Sequence, residues 1–421
     1  MIRILRNSKV RDFGLRQRLL SSAALAYDHE VELAHESKPR LEALRERLKQ
    51  DKTDMVWRQP KKTTQMQPKN NEESLSVHDI LDQIRHLPHP DDVLMDRFDR
   101  SHSYLRISLS ERCNLRCRYC MPPDGVPLQP ESHLLQRDEI LSLATLFAKH
   151  GVDKVRLTGG EPLLRKDLAE IVSGISQLDG VRQVGMTTNG VTLHRQLPTL
   201  IDAGLSHVNI SLDTLVDEKF TDLTRRPGLS KVWKSLEAAS KQLPSGRVKV
   251  NCVVMKGVND NELIDFCKIS QQLPVDIRFI EWMPFSENGW SKGRLVPYKD
   301  MLKAVEPLKL QRVEDGPNDT TKWWRMEGGL GRIGFITSMS QHFCGTCNRL
   351  RLTSDGKIKV CLFGATELSL RDAMRSGVDK HDMEKLIHYA VQRKHFALGG
   401  HGSAEGIVKA NDNRPMTLIG G

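Results

Sequence analysis

The chain is expected to be an α/β protein built on a parallel sheet, and two observations carry that expectation. Short β-branched runs alternate with helical patterns from Tyr104 onward, and nearly every run is followed at once by a polar or glycine-rich segment. Strands alternating with helices imply parallel pairing, which collects functional residues at the carboxyl ends of the strands. A third observation bounds the class: 421 residues, 38% hydrophobic and 28% charged, leave room for two or three domains with cores of their own. The 30 glycines and 19 prolines are ordinary and exclude collagen-like or coiled-coil chains. No run approaches about 20 consecutive apolar residues, so no membrane-spanning helix is expected. A formal charge of +10 suits an anionic partner, whether nucleic acid, lipid or phosphorylated metabolite, and does not choose among them.

Taken in order, residues 1–26 carry Arg3, Arg6, Lys9, Arg11, Arg16 and Arg18 against the single acid Asp12, with serines close behind. That is the composition of an organellar transit peptide, and the apolar run is too short for a secretory signal. Residues 27–98 form a polar, largely disordered extension, with a short amphipathic helix at Leu41, Leu44 and Leu48 and a second helical pattern from Val77. Six strands follow, at 104–109, 154–157, 183–187, 207–212, 248–255 and 276–281, with helices at 137–149, 168–177, 193–203, 231–241 and 261–272. Six such units form a doubly wound sheet or an incomplete barrel. The expected limits are 99–325 for this array and 326–421 for a carboxyl-terminal domain.

The eight cysteines are bunched: Cys113, Cys117 and Cys120; then Cys252 and Cys267 alone; then Cys344, Cys347 and Cys361. Disulfide frameworks belong to small secreted chains, so two separated triplets point to two inorganic centres. Three thiolates on one loop leave one iron of a [4Fe-4S] cluster open to a chelating molecule. Zinc is the competing ligand for paired cysteines. Cys252 and Cys267 fall on apolar positions of a strand and a helix and are expected in the core. After the second triplet, Arg349 and Arg351 stand two apart, on one face of a strand, where paired guanidiniums suit phosphate oxygens.

The first loop, with Tyr119 before its last cysteine, and the Gly159-Gly160-Glu161-Pro162 turn after the second strand resemble the radical S-adenosylmethionine superfamily. That resemblance implies an incomplete (β/α)6 TIM-like barrel with a carboxyl-terminal iron-sulfur domain. Over about residues 99–421, the segments YLRISLSERCNLRCRYCMP, RLTGGEPLLR, TTNG, NISLDTL, KVNCVVMKGVND, RFIEWMPF and HFCGTCNRLRLTSDGKIKVCLFG and the terminal glycines are similar to the GTP 3′,8-cyclases of molybdenum-cofactor biosynthesis. The extension and transit-like start resemble the eukaryotic mitochondrial members, implying the mitochondrial matrix.

The family resemblance implies two [4Fe-4S] clusters. The first, on Cys113, Cys117 and Cys120, cleaves S-adenosylmethionine; the second, on Cys344, Cys347 and Cys361, holds GTP. It places Tyr119, Gly160, Glu161, Ser211 and Met283 at the S-adenosylmethionine site. Arg106, Arg156, Thr187, Lys249, Arg349 and Arg351 fall at positions associated with GTP, and Gly420 and Gly421 on a tail reaching the active site. A 5′-deoxyadenosyl radical would take hydrogen from C3′ of GTP, and the ribose radical would close onto C8. Implied partners are a reductant, cyclic pyranopterin monophosphate synthase as the next enzyme, and a second copy in a homodimer, with no nucleic acid. Competing functions are a radical peptide-modifying enzyme and a zinc-stabilised nucleic-acid-binding module.

Overall fold

Ser76 opens the first long helix by a reciprocal cap: Asp79 N donates to Ser76 Oγ at 3.2 Å and Ser76 N to Asp79 Oδ2 at 2.9 Å. This helix, α1 (Val77–Ile84), buries Ile80, Leu81 and Ile84. Behind it Val93 and Leu94 are also buried. The helical pattern expected from Val77 is present, and residues 76–98 are folded, so the expectation of a largely disordered extension running to 98 reached too far. Their apolar residues Ile80, Leu81, Ile84, Val93 and Leu94 supply the burial that folding needs.

The computed structural model describes residues 42–44, 46, 76–285, 288–410 and 415–420. The chain divides into two units, Met1–Gln50 and Asp51–Gly421. In the first, the described residues are helical and include Leu44. Leu41, Leu48 and the transit-like segment 1–26 lie outside the described residues, as does Gly421.

In the second unit the six expected strands are present: β1 (Tyr104–Ser108), β2 (Lys154–Thr158), β3 (Gln183–Thr188), β4 (His207–Ser211), β5 (Val248–Val254) and β6 (Asp276–Glu281). Between them run α2 (Arg137–Lys149), α3 (Leu168–Ser176), α4 (Leu193–Asp202), α5 (Asp217–Thr224), α6 (Leu229–Gln242) and α7 (Leu263–Gln272), of which the short α5 was not anticipated. Next come α8 (Tyr298–Ala304), β7 (Gln311–Arg312), β8 (Thr321–Arg325), β9 (Ile333–Ile336), β10 (Arg349–Leu352), β11 (Lys357–Lys359) and β12 (Glu367–Ser369). Then follow α9 (Leu370–Arg375), α10 (Lys380–Gln392) and α11 (Ala404–Ala410), and after them a 3-10 turn at Met416–Leu418.

Strands β1 to β6 lie side by side in chain order and pair in parallel. The carboxyl-terminal segment extends both edges, β10 pairing in parallel with β1 and β9 with β6. The expected boundary after residue 325 falls in the turn between β8 and β9, which pair antiparallel in the same sheet.

Alternation along each strand separates a doubly wound sheet from an incomplete barrel. Leu105 and Ile107, Val155 and Leu157, Val208 and Ile210, Val250 and Cys252, and Ile277 and Phe279 are buried. Their neighbours Arg106, Arg156, Asn209, Asn251 and Arg278 line a common cavity. A doubly wound sheet needs both faces apolar; here only the outer face is, so the array is an incomplete barrel with a polar interior. Cys252 and Cys267 sit in the core as expected. Among the described residues no helix is long and apolar enough to cross a membrane.

Candidate functional site

The first cysteine loop is fastened to the ends of three strands. Gly160 N donates to Ser110 O at 2.6 Å and Glu161 N to Arg112 O at 2.8 Å, laying the GGEP turn directly on the loop backbone. A Cβ at Gly160 would stand 2.5 Å from Arg112 O and 2.6 Å from Glu111 O, so only glycine permits this approach. Past β3, Asn189 Nδ2 donates to Asn114 Oδ1 at 2.7 Å. Past β4, Asp213 accepts from the Tyr119 hydroxyl at 2.6 Å and from Val253 N at 2.8 Å. Cys117 and Cys120 pack against a buried cluster of Tyr119, Leu223, Met255, Val258 and Trp282.

Glu161 is fully enclosed. It accepts from Thr188 Oγ1 at 2.7 Å, Asn189 N at 2.8 Å and Leu163 N at 3.1 Å, and burial lifts its carboxyl to about 7. Its side chain clamps the second and third loops together, and neither Glu161 nor Gly160 lines the cavity. Ser211, Met283 and Tyr119 do line it.

That cavity, about 1000 Å³, runs along the polar face of the sheet and reaches all three cysteines of the second triplet, Arg349, Arg351 and Gly420. Register explains its charge. Partners in a parallel ladder sit side by side on one face, and Arg351, Arg106 and Arg156 form one row across β10, β1 and β2. The next position in that row is Gly185, where a Cβ would lie 3.1 Å from Arg156 Cζ; the missing side chain is what lets the guanidinium lie down. Arg156 Nε donates to the Tyr104 hydroxyl at 2.5 Å, and Arg106 Nη2 to Gly420 O at 3.2 Å.

Crowded, buried cations lose part of their hold on protons. Burial and the neighbouring Arg106 bring Arg351 down to about 9. Burial and Arg278 bring Lys249 to about 8, and burial and Arg156 bring Arg278 to about 10. Burial alone would raise the Tyr104 phenol, but the charges of Arg156, Arg106 and Lys154 outweigh it and hold the group at about 7. The interior is therefore short of negative charge.

The sequence reading missed Tyr104, Lys154, Asn209 and Arg278, all on the cavity wall. The period-two pattern of KVRLT and DIRFIE was the available signal, since it sets Lys154 with Arg156 and puts Arg278 inward. Thr187 Oγ1 and Asn209 Oδ1, register partners on β3 and β4, are buried without a hydrogen-bond partner and face the cavity. Thr188, by contrast, is committed to Glu161.

Both triplets fit iron-sulfur clusters on the chemistry of their donors. All six thiols are free. Burial, with nearby thiols and Asp213, pushes Cys117 well above its usual value and Cys120 up to about 12, so both are thiols until a cationic centre draws off the proton. Among the described residues no three His, Cys, Asp or Glu side chains are grouped to hold a single metal ion.

An open parallel barrel with a three-thiol loop and a GGEP turn at its carboxyl rim defines a radical S-adenosylmethionine protein, and the model of the Radical SAM superfamily matches residues 107–269. The Molybdenum Cofactor Synthesis C model matches residues 275–398. The chain is 49% identical to the mitochondrial GTP 3′,8-cyclase of Arabidopsis thaliana over 350 residues, covering 83% of this chain and 88% of that one. It is 38% identical to the GTP 3′,8-cyclase of Syntrophomonas wolfei, over 78% of this chain and 100% of that one. The chain belongs to the GTP 3′,8-cyclase family. It is also 52% identical to molybdenum cofactor biosynthesis protein 1 of Homo sapiens over 77% of its length, and spans about half, 51%, of that longer relative. Among solved structures, SuiB of Streptococcus suis bound to S-adenosylmethionine aligns at 15% identity with a TM-score of 0.46, over 70% of this chain and 68% of that one.

Proposed function

We propose that the chain converts GTP to (8S)-3′,8-cyclo-7,8-dihydroguanosine 5′-triphosphate, with cleavage of S-adenosylmethionine to 5′-deoxyadenosine and methionine, as the first step of molybdenum-cofactor biosynthesis. The observation that carries this reading is the row Arg351, Arg106, Arg156 beside the second cysteine triplet. Three guanidiniums at one register repel one another unless an anion sits among them, and a triphosphate supplies several charges at once.

Two [4Fe-4S] clusters would be held by Cys113, Cys117 and Cys120 and by Cys344, Cys347 and Cys361; when bound they supply electrons and an open iron each. The protein's own residues do the rest. Arg156, Lys249, Arg278, Arg349 and Arg351 bind and orient the triphosphate end. Thr187 and Asn209 offer the nucleoside two buried polar atoms that the fold leaves unpaired. Tyr119, locked by Asp213, keeps the first loop facing the cavity. Gly420 brings the tail against Arg106, closing the chamber against water. By the same reading the enzyme works in the mitochondrial matrix, draws electrons from a separate reductant, and passes its product to cyclic pyranopterin monophosphate synthase.

The test is anaerobic reconstitution followed by incubation with GTP, S-adenosylmethionine and dithionite, with products identified by mass spectrometry. 5′-Deoxyadenosine together with the cyclised nucleotide is the expected result. 5′-Deoxyadenosine alone would keep the radical chemistry and reject GTP, and neither product from an iron-loaded sample would reject the reading.

A further inference from the structure

Lys394 follows the last turn of α10 and is 2% exposed. A buried ammonium needs all three donors satisfied and a negative charge nearby. Its Nζ lies 2.8 Å from His102 Nε2, 3.0 Å from Arg349 O, and 3.5 Å from both the carbonyl and the sulfur of Cys347. These partners are an imidazole, two carbonyls and a thiol, with no carboxylate among them. Asp96 Oδ2 stands 3.7 Å from the same His102 Nε2 but is paired with Arg100, and the Cys361 thiol lies farther off, so the acidic group within reach of the ammonium itself is the Cys347 sulfur.

The hydrogen bonds around His102 fix its role. Nδ1 lies 2.7 Å from Leu94 O, which only accepts, so Nδ1 carries the proton and Nε2 accepts from Lys394. The imidazole is a neutral seat for the ammonium, and its burial disfavours a second proton. Arg100 makes a second arm: its Nη1 donates to Cys344 O at 2.7 Å while its Nε pairs with Asp96 Oδ2 at 2.7 Å. Two buried cations, both resting on residues 94–102, thus grip the two cysteines of the CGTC loop from behind. The first triplet differs at its sulfurs: Arg116 Nη1 donates to the Cys113 carbonyl at 2.7 Å, as Arg100 does to that of Cys344, but among the described residues the Cys113 sulfur meets the neutral Leu115 N at 3.4 Å and Asn189 Nδ2 at 3.9 Å.

We propose that Lys394 is a positioning residue for the second iron-sulfur cluster, its ammonium held by His102 and the Arg349 carbonyl against the Cys347 sulfur so that this cluster is easier to reduce than it would be without it. Positive charge and hydrogen bonding at a thiolate ligand favour the more negative, reduced cluster. The inference rests on the two-cluster reading above, and the experiment separates the two.

The full chain and its K394M, K394R and H102A variants are reconstituted anaerobically, iron and sulfide are counted, and each cluster's electron paramagnetic resonance signal is followed through a redox titration. A chain lacking Cys113, Cys117 and Cys120 isolates the second signal. In K394M the second cluster's midpoint potential should fall while the first stays in place, and K394R should stay nearer the parent. An unmoved second potential, or an equal shift of both clusters, overturns the proposal. If K394M loses the second cluster, H102A, which loosens the ammonium without removing it, should give a smaller shift of the same sign, and no shift there overturns it. If the parent binds one cluster only and the chain lacking the first triplet binds none, the two-cluster reading itself falls and takes this proposal with it.

Discussion

Cys117 and Cys120 are buried beside one another and beside Asp213, and burial with these negative neighbours pushes both thiols upward. Cys347 is also buried, which by itself would raise it, yet the charges of Lys394 and Arg349 outweigh burial and bring it to about 7. The two triplets share a donor type but not a spacing, and they differ in balance: burial and Asp213 prevail around Cys117 and Cys120, although Arg116 stands at Cys113, while Lys394 and Arg349 prevail around Cys347. On the proposed two-cluster reading, the donors would decide what each triplet holds and the neighbours how readily the held group accepts an electron: the buried setting beside Asp213 would suit a strong donor, and the setting beside Lys394 and Arg349 a centre that shares its cavity with a polyanion.

The hardest way to break this contrast is to remove one centre at a time. Cys113→Ala should abolish formation of 5′-deoxyadenosine and remove one cluster's iron while the other's remains. Cys347→Ala should do the reverse, ending nucleotide cyclisation while slow cleavage of S-adenosylmethionine persists. Cleavage that survives Cys113→Ala, measured by chromatography of 5′-deoxyadenosine, would refute the division of labour.

A sharper form of the contrast concerns charge alone. Arg351→Ala removes a guanidinium from the row and should raise KM for GTP by about 10- to 100-fold, the equivalent of about 1.5–3 kcal/mol for a charged hydrogen bond. The KM for S-adenosylmethionine should hold steady. Equal effects on both substrates in steady-state kinetics would show that the row serves the whole cavity.

Lys249 turns the cationic side into a pH dependence. Its ionised form is disfavoured by burial and by Arg278, so it keeps its proton below about 8 and loses it above, well under the usual lysine value. A polyanion binds the protonated form better, so GTP affinity should be level below about pH 8 and fall several-fold above it. Binding near that pH should take up a proton, which calorimetry in buffers of different ionisation enthalpy detects. Lys249→Met should flatten the profile.

The smallest effect distinguishes two adjacent hydroxyls. Thr187→Val touches only the cavity and should raise KM for GTP a few-fold with an unchanged melting temperature. Thr188→Val strips a hydrogen bond from buried Glu161 and should cost about 1–3 kcal/mol of stability. A reversed pattern in thermal unfolding would mean that β3 presents the opposite face to the ligand.

Much of this was legible in the chain. All six strand positions agree with the observed strands to within a residue, because β-branched runs bounded by Gly, Asp and Asn are local signals. The cysteine loops and the GGEP turn are equally local, and so were found. Less legible was residues 76–102: nothing in DDVLMDRFDRSH announces a support for a loop that begins some 240 residues later, yet Arg100 reaches Cys344 O across 244 positions. Lys154 and Arg278 were overlooked although period-two alternation sets each on the polar face of its strand; that these faces line one cavity depends on how the strands pair.

The sequence by itself determined the donors and their spacing: three thiols on one loop, two on a second with a third after thirteen intervening residues, a glycine turn able to lie against the first loop, and arginines two apart on a strand. Short-range geometry suffices for those, since neighbouring residues set both the turn and the face. The charge around each loop was decided only by the tertiary structure. His102 and Lys394 meet from 292 positions apart, and the arginine row exists because β10, from the far end of the chain, pairs in register with β1. Electrostatics depends on distance in space and on the exclusion of water, and folding is what sets both.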